Sequence, residues 1–191
     1  MTMKLNLLLY LSVIFITTNS FSQLSLTISE KGIGNIEVGN SLIESIKSLP
    51  QGYELNITRF GTYIFKENEK RIFDISPIIK TDIIKSIRIF TDKWETNDNL
   101  KIGLTIKEIN EFCDDFFLEY DNISGSEYYF RTIKFEKNDI IFESIIKFHF
   151  IGKTPDYLGN YNFNENTGKY DKSIDNNEEG VLNFIEITLI D

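Results

Sequence analysis

The chain has 191 residues, of which 20 are Lys or Arg and 29 are Asp or Glu, so its formal net charge is −9. Such an acidic chain lacks the clustered cations that release counterions from nucleic acid, which excludes DNA and RNA as partners. Cys113 is the single cysteine and His149 the single histidine, so an internal disulfide and a Cys/His zinc site are excluded.

The first 22 residues have the features of a secretory signal peptide. One positive charge precedes a mostly apolar run from Leu5 to Ile16, which is too short to span a bilayer as a helix. Ser20 and Ser22 stand at −3 and −1 of a predicted cut between Ser22 and Gln23. We therefore expect a periplasmic or secreted protein without stable membrane insertion. An uncleaved membrane anchor is the alternative.

Residues 23–92 are predicted to form a first unit of one helix and an antiparallel sheet. The segment from Leu24 to Ser29 alternates apolar and polar residues and is predicted as an edge strand. A helix is predicted from a cap at Ser41, with Leu42, Ile43, Ile46 and Leu49 on one side. Further strands are predicted from alternation over 53–58, 63–65, 71–75 and 85–91, the first of them half-buried.

Residues 93–191 are predicted to form a second unit of the same kind. Its helix is expected from Thr105 to about residue 118, with Cys113 as a small buried hydrophobe in the apolar stripe. A hairpin is predicted from 127–136 and 139–150, and a last strand from 182–190. His149 shares a strand face with Glu143 and Lys147, which predicts a solvated position rather than a catalytic base.

The two units begin with similar sequences, at residues 35–44 and 99–108. Asn, Gly and Glu coincide in both segments, and a hydroxyl residue stands two places after each glycine. The S/T-x-x-E spacing predicts a capping box, in which the hydroxyl and the carboxylate satisfy the free N–H groups of a helix start. The predicted capping residues are Gly39, Ser41, Glu44, Gly103, Thr105 and Glu108. We therefore predict an α+β protein of two tandem units, each a short helix packed on an antiparallel meander.

These motifs carry a resemblance to known families. Val38-Gly39-Asn40-Ser41 with Glu44, and Ile102-Gly103-Leu104-Thr105 with Glu108, resemble the β-lactamase-inhibitor-protein-like architecture. Each unit is also similar to the small outer-membrane assembly lipoproteins of the SmpA/OmlA type, although this chain lacks their lipidated cysteine. The resemblance implies an extracytoplasmic module that binds proteins through its exposed sheet face and loops, without catalytic residues.

A segment at 152–180 is unusually long for a loop in a compact domain and is rich in Tyr, Asn and Gly. That composition is typical of adaptable binding loops, since Tyr offers a large contact area with few torsions to fix. The predicted contact residues are Trp94, Tyr157, Tyr161, Phe163 and Tyr170. A projecting hairpin without a binding role is the alternative for the loop, and a rim position on its own sheet is the alternative for Trp94.

The expected function is binding of another extracytoplasmic protein, without catalysis, cofactor or metal. The sequence contains no recognisable set of catalytic residues. The alternative is a small-ligand carrier, or a hydrolase using a pair of carboxylates, with a pocket between the two units.

Overall fold

The structure, a computed structural model, describes most of the chain beyond its first 26 residues. The described residues are 27–49, 52–113, 116–121, 125–137, 139–152, 158–161, 163–164, 169–170, 173 and 176–190. The predicted signal peptide at 1–22 and the beginning of the predicted edge strand, residues 24–26, lie outside them. Within the described part, no helix has the length and apolar character that crossing a membrane requires.

Two short helices and twelve strands make up the described part of the chain. The helices are α1 (Leu42–Lys47) and α2 (Ile106–Asn110). The strands are β1 (Gly32–Ile33), β2 (Ile36–Glu37), β3 (Glu54–Ile57), β4 (Tyr63–Glu67), β5 (Lys70–Pro77), β6 (Ile84–Ile89), β7 (Glu119–Asp121), β8 (Ser126–Lys137), β9 (Ile140–Ile151), β10 (Phe163–Asn164), β11 (Lys169–Tyr170) and β12 (Val181–Ile190).

Eight strands form one antiparallel sheet in the order β3-β4-β5-β6-β12-β9-β8-β7. The two predicted meanders therefore belong to a single sheet, and they meet where β6 pairs with β12. Two small hairpins, β1–β2 and β10–β11, complete the strands of the described part. The α+β class with antiparallel strands is confirmed.

Apolar side chains line one face of the sheet, which we call the inner face. Because side chains alternate along a strand, directly paired residues on neighbouring strands share a face. One inner-face row of buried isoleucines runs across four central strands: Ile75, Ile87, Ile187 and Ile146. The helices add Leu42, Ile106 and Ile109 to the same core, so both helices pack on this side.

The first helix is held at its N-terminus by a distant acid. Ser41 is the N-cap, and its Oγ accepts a hydrogen bond from the Glu44 N–H at 3.3 Å. The Ser41 hydroxyl in turn donates to Asp82, whose Oδ1 also accepts from the Ile43 N–H at 3.0 Å. Asp82, rather than the Glu44 carboxylate of the predicted box, therefore forms the hydrogen bonds to this helix start, where a negative charge is favourable.

The second helix has a complete capping box but is shorter than predicted. The Glu108 N–H donates to Thr105 Oγ1 at 3.2 Å, and the Thr105 N–H donates to Glu108 Oε2 at 2.7 Å. The helix ends at Asn110, so the prediction that it reaches residue 118 is wrong. Asn, Asp and Phe are weak helix formers, and the chain after Asn110 packs Phe116 against Tyr129 instead. Cys113 lies beyond the helix and is half-buried.

Two further strand predictions need correction. Ile28 makes only isolated bridges, to Ile33 and Thr96, so the described end of the predicted edge strand is not a strand. β3 forms where predicted but is not half-buried, since Leu55 is 43% and Ile57 59% exposed. β3 is the outermost strand and pairs only with β4 among the described strands, which explains its exposure.

Candidate protein-docking face

The face of the sheet opposite the helices, which we call the open face, carries a row of alternating charges. Asp74, Arg88, Glu186 and Lys147 are direct cross-strand partners on β5, β6, β12 and β9. Opposite charges placed directly across antiparallel strands stabilise the pairing. The register between strands therefore produces an ordered ionic row on this face.

Two ion pairs fix this charge row. Arg88 Nε lies 2.8 Å from Glu186 Oε1, and Arg71 Nε lies 2.7 Å from Asp74 Oδ1. Asp74 is 2% exposed, and a carboxylate so buried requires a partner of opposite charge. The Arg88 side chain is 51% exposed, so it remains accessible to a binding partner.

Glu186 is an acid of the charge row whose pKa is strongly lowered. Its burial alone would raise its pKa, but the neighbouring His149 imidazole and a hydrogen bond from Arg88 favour the charged form. Together these contacts lower the Glu186 pKa from its ordinary value of 4.5 to about 2.

We expect Glu186 to make stability depend on pH in the acid range. Because its pKa is lower in the folded state, its contribution is present above pH 4.5 and is lost as the pH falls toward 2. The contribution at neutral pH is about 3 kcal/mol. Urea unfolding of wild type and Glu186→Gln should show a large difference at pH 7 that shrinks toward pH 2. A difference of the same size at both pH values would contradict this account, and the exposed Glu136→Gln variant provides the control.

Beside the charge row lies a row of stacked rings. Phe90 stacks on Phe184 at 5.7 Å between ring centroids, and Phe184 stacks on His149 at 4.1 Å. Tyr128 continues the row, 5.6 Å from His149. These rings come from β8, β9, β12 and the residue after β6, so the row spans the junction between the two meanders.

His149 is buried in this aromatic row, which corrects the prediction of a solvated position. It is 7% exposed, since the Phe184 and Tyr128 rings flank it. Its Nε2 lies 3.5 Å from Glu186 Oε2, and neither ring nitrogen forms a hydrogen bond within the described part of the chain. The imidazole is thus packed between these rings on the open face.

A cation stands at each end of the aromatic row. The Arg71 guanidinium lies 4.0 Å from the centroid of the Phe90 ring, and Lys147 Nζ lies 4.4 Å from that of Tyr128. Such cation–π contacts hold the cations against the rings. Aromatic residues and Arg are the types enriched at protein interfaces, and both are concentrated here.

Trp94 is not a surface contact residue, contrary to the prediction. It is 5% exposed, and its ring lies 5.7 Å from Phe73 in the core of the inner face. The polar connector around it turns through Thr96, whose Oγ1 accepts from the Leu100 N–H at 2.9 Å. The connector thereby places its one large apolar side chain inward.

Tyr161 is half-buried and tied to the sheet by Glu127. The Tyr161 hydroxyl donates to Glu127 Oε1 at 2.8 Å, and the N–H groups of Leu158 and Gly159 donate to the same carboxylate at 2.8 Å each. Burial and the Glu127 carboxylate raise the Tyr161 pKa. Glu127 is itself only 8% exposed, so it anchors the long loop to the inner face.

The side chains of the other predicted contact residues lie outside the described part of the chain. Tyr157 lies outside the described residues. Phe163 and Tyr170 pair through their backbones in the β10–β11 hairpin, while their side chains lie outside the described part. This backbone pairing agrees with the hairpin of the predicted alternative.

A groove of about 560 Å³ opens beside the turn between β4 and β5. Its lining includes Glu67, Arg71, Phe90, Asp92, Lys93 and Ile102. Glu67 is ion-paired with Lys93, so this carboxylate is held by a cation. Within the described residues, no three His, Cys, Asp or Glu side chains come together as a metal site would require.

Sequence reasoning missed the residues of the open face. The alternation on β6 separates Ser86 and Arg88 from the buried isoleucines, which is the signal for a second face. The partners of Arg88 on β5 and β12 depend on strand order and register, however, and these are not encoded in any local pattern.

No protein-family model matches the chain, and no curated protein matches it either. Among solved structures, the chain is similar to the uncharacterized protein yfeY from Escherichia coli. The two are 13% identical, the alignment covers 85% of this chain and 99% of that one, and the TM-score is 0.49.

Proposed function

We propose that this protein is a non-catalytic binding module that works outside the cytoplasm and docks another protein on its open face. The observation that carries the proposal is the ordered surface of the open face, where an ionic row lies beside a row of stacked rings. The pattern of residues 1–22 supports the extracytoplasmic location, since a charged start, an apolar run and a small-residue cut are typical of exported proteins.

The side chains of the open face are suited to a protein partner in two ways. They are fixed before binding, because pairs such as Arg88–Glu186 and Arg71–Asp74 restrain their rotamers. Little side-chain entropy then remains to be lost on docking. They also combine half-buried rings with an accessible guanidinium, which gives apolar contact area together with directional hydrogen bonds.

Site-specific photo-crosslinking tests this proposal. A benzophenone side chain at Phe130, which continues the charge row on β8, should give a discrete adduct with a partner protein in cells that export the chain. Introducing Arg88→Glu should abolish the adduct, whereas Lys107→Glu on the exposed side of α2 should leave it unchanged. The same probe at Phe112, on the helix side and 47% exposed, is the matched control. Equal adducts from both positions, or none from Phe130, would contradict the proposal.

We also propose that the chain is a duplication of one helix-plus-four-strand unit, with halves at about 23–92 and 93–191. Support comes from hydrogen bonds that recur in the two halves. The Gly39 N–H donates to the Ile84 carbonyl at 2.9 Å, and the Gly103 N–H donates to the Leu182 carbonyl at 2.9 Å. Both glycines have positive φ, of 81° and 97°.

A second pair of matching hydrogen bonds occurs at the first residues of the two helices. The Leu42 N–H donates to the Asp82 carbonyl at 2.7 Å, and the Ile106 N–H donates to the Gly180 carbonyl at 2.8 Å. The residue matching Asp82 is therefore a glycine, so α2 takes its acid from Glu108 within the helix. A crystal structure in which the two halves do not superimpose would overturn the duplication.

A small-ligand carrier is a second candidate function, favoured by the volume of the groove. Lys70, Arg71 and Lys93 outnumber the acids Glu67 and Asp92 on its lining, which suits a small anion. Calorimetric titration with small organic anions tests this, since a carrier should give a saturable signal that Lys93→Ala reduces.

A further inference from the structure

We propose that two copies of this chain associate through the free edge of β3, joining their sheets antiparallel across a two-fold axis. This surface is separate from the open face, because it consists of backbone groups and inner-face side chains at the rim of the sheet. Among the described strands, β3 pairs only with β4, so its other edge has no strand beside it.

The backbone groups on this edge can be identified from the ladder. The Thr58 N–H donates to the Thr62 carbonyl at 2.9 Å, so Thr58 and Thr62 are a hydrogen-bonded pair. Hydrogen-bonded and non-bonded pairs alternate in an antiparallel ladder. Asn56 therefore bonds to β4, while Leu55 and Ile57 direct their N–H and C=O groups outward.

The side chains at this edge are apolar and exposed. Leu55 is 43%, Ile57 is 59% and the nearby Phe60 is 80% exposed. A sheet edge with free backbone groups and exposed apolar side chains is a template for another strand. The outermost strand on the other side of the sheet, β7, differs, since it has only three residues and carries the carboxylates of Glu119 and Asp121. Short, charged edges of that kind disfavour pairing.

A second copy fits the β3 edge by symmetry. With the two-fold axis at Asn56, Leu55 of each copy pairs with Ile57 of the other, and their outward N–H and C=O groups form four hydrogen bonds. Leu55 and Ile57 then pack on each other on the inner-face side. Glu54 falls opposite Thr58 of the second copy, next to Arg59, so the acidic end of one β3 meets the basic end of the other.

The assembly should stop at two copies. A contact in which the same patch serves both partners uses up that patch in each chain. Four residues per strand form a small contact, so the dimer is weak and depends on concentration.

Sedimentation analysis of the purified protein tests the proposal. The wild-type mass should rise from one chain toward two over roughly 10 to 500 µM, as expected for a weak complex. Ile57→Pro removes an outward N–H without touching the ladder to β4, and Ile57→Lys adds an edge charge; both should remain monomeric. Ile141→Lys is the matched control, since Ile141 is 74% exposed on β9, and it should dimerise like wild type.

A cysteine scan tests the register of the two strands. Asn56→Cys in a Cys113→Ser background should form a disulfide-linked dimer on mild oxidation, because non-bonded antiparallel pairs place their Cα atoms about 4.5 Å apart. Glu54→Cys should cross-link far more slowly, since its counterpart is Thr58. A wild type that stays monomeric, equal dimerisation of the Ile57 variants, growth beyond two chains, or equal cross-linking at 54 and 56 would each overturn the proposal.

Discussion

Replacing Trp94 by alanine is expected to lower the free energy of unfolding by about 3–5 kcal/mol, the range for truncating a buried Trp or Phe. Trp94 is 5% exposed and packs on Phe73, which itself stacks on Phe65 at 4.4 Å. Removing the indole leaves a cavity whose aromatic neighbours are fixed by the sheet, so little relaxation can fill it. Urea unfolding followed by far-UV circular dichroism measures the loss.

Phe60→Ala is the control for this loss. Phe60 is 80% exposed in the turn after β3, and its truncation should change stability by no more than about 0.5 kcal/mol. A Trp94→Ala protein as stable as Phe60→Ala would show that the indole is not part of the core. It would also revive the prediction that Trp94 contacts a partner.

Replacing Glu127 by alanine is expected to release the loop 158–161 from the sheet and to cost about 3 kcal/mol of unfolding free energy. The carboxylate accepts three hydrogen bonds of 2.8 Å, two of them from backbone N–H groups. Without it, the N–H of the buried Leu158 loses its acceptor. Limited proteolysis should then cut the 152–180 segment much faster, which reports local opening separately from global unfolding.

Two variants test whether the effect of Glu127→Ala comes from losing the hydrogen bonds to the loop or only from removing a negative charge. Glu136→Ala removes an exposed carboxylate from the same strand and should leave both the proteolysis rate and the stability unchanged. Tyr161→Phe removes one of the three hydrogen bonds and should give an intermediate loss of about 1 kcal/mol. Cleavage at the wild-type rate in Glu127→Ala would show that the loop is held by other contacts.

Local patterns predicted most of the strands. Apolar and polar residues alternate over Lys85–Thr91 and on both sides of the turn at 137–138, because one face of each strand is buried. The same reasoning failed where distant residues decide the outcome. The spacing of Ile106, Ile109 and Cys113 is typical of a long helix. The helix nevertheless ends at Asn110, and Phe116 packs on Tyr129 of β8. The spacing of apolar residues alone does not distinguish a long helix from a short helix followed by a packed irregular segment.

The candidate site was less predictable than the fold. Asp82 acts on a helix start 41 residues earlier, and Glu127 holds a loop some 30 residues later. Neither carboxylate is distinguished in the sequence from the many acids that only solubilise the surface. Aromatic residues in a polar segment suggested exposure, but Trp94 shows that a single large ring among polar neighbours can equally be the residue that fills the core.

The position of β12 bears on how the chain acquires its structure as it emerges from a ribosome or an export channel. β12 comes last in the described sequence, yet it lies in the middle of the sheet, between β6 and β9. Until residues 181–190 have emerged, no strand joins the two meanders. The edges of β6 and β9 that β12 covers in the folded sheet are then unpaired. Closure of the eight-stranded sheet therefore waits for β12, because pairings of such long sequence separation form slowly. During that interval these edges stay unpaired, and unpaired strand edges are prone to aggregation.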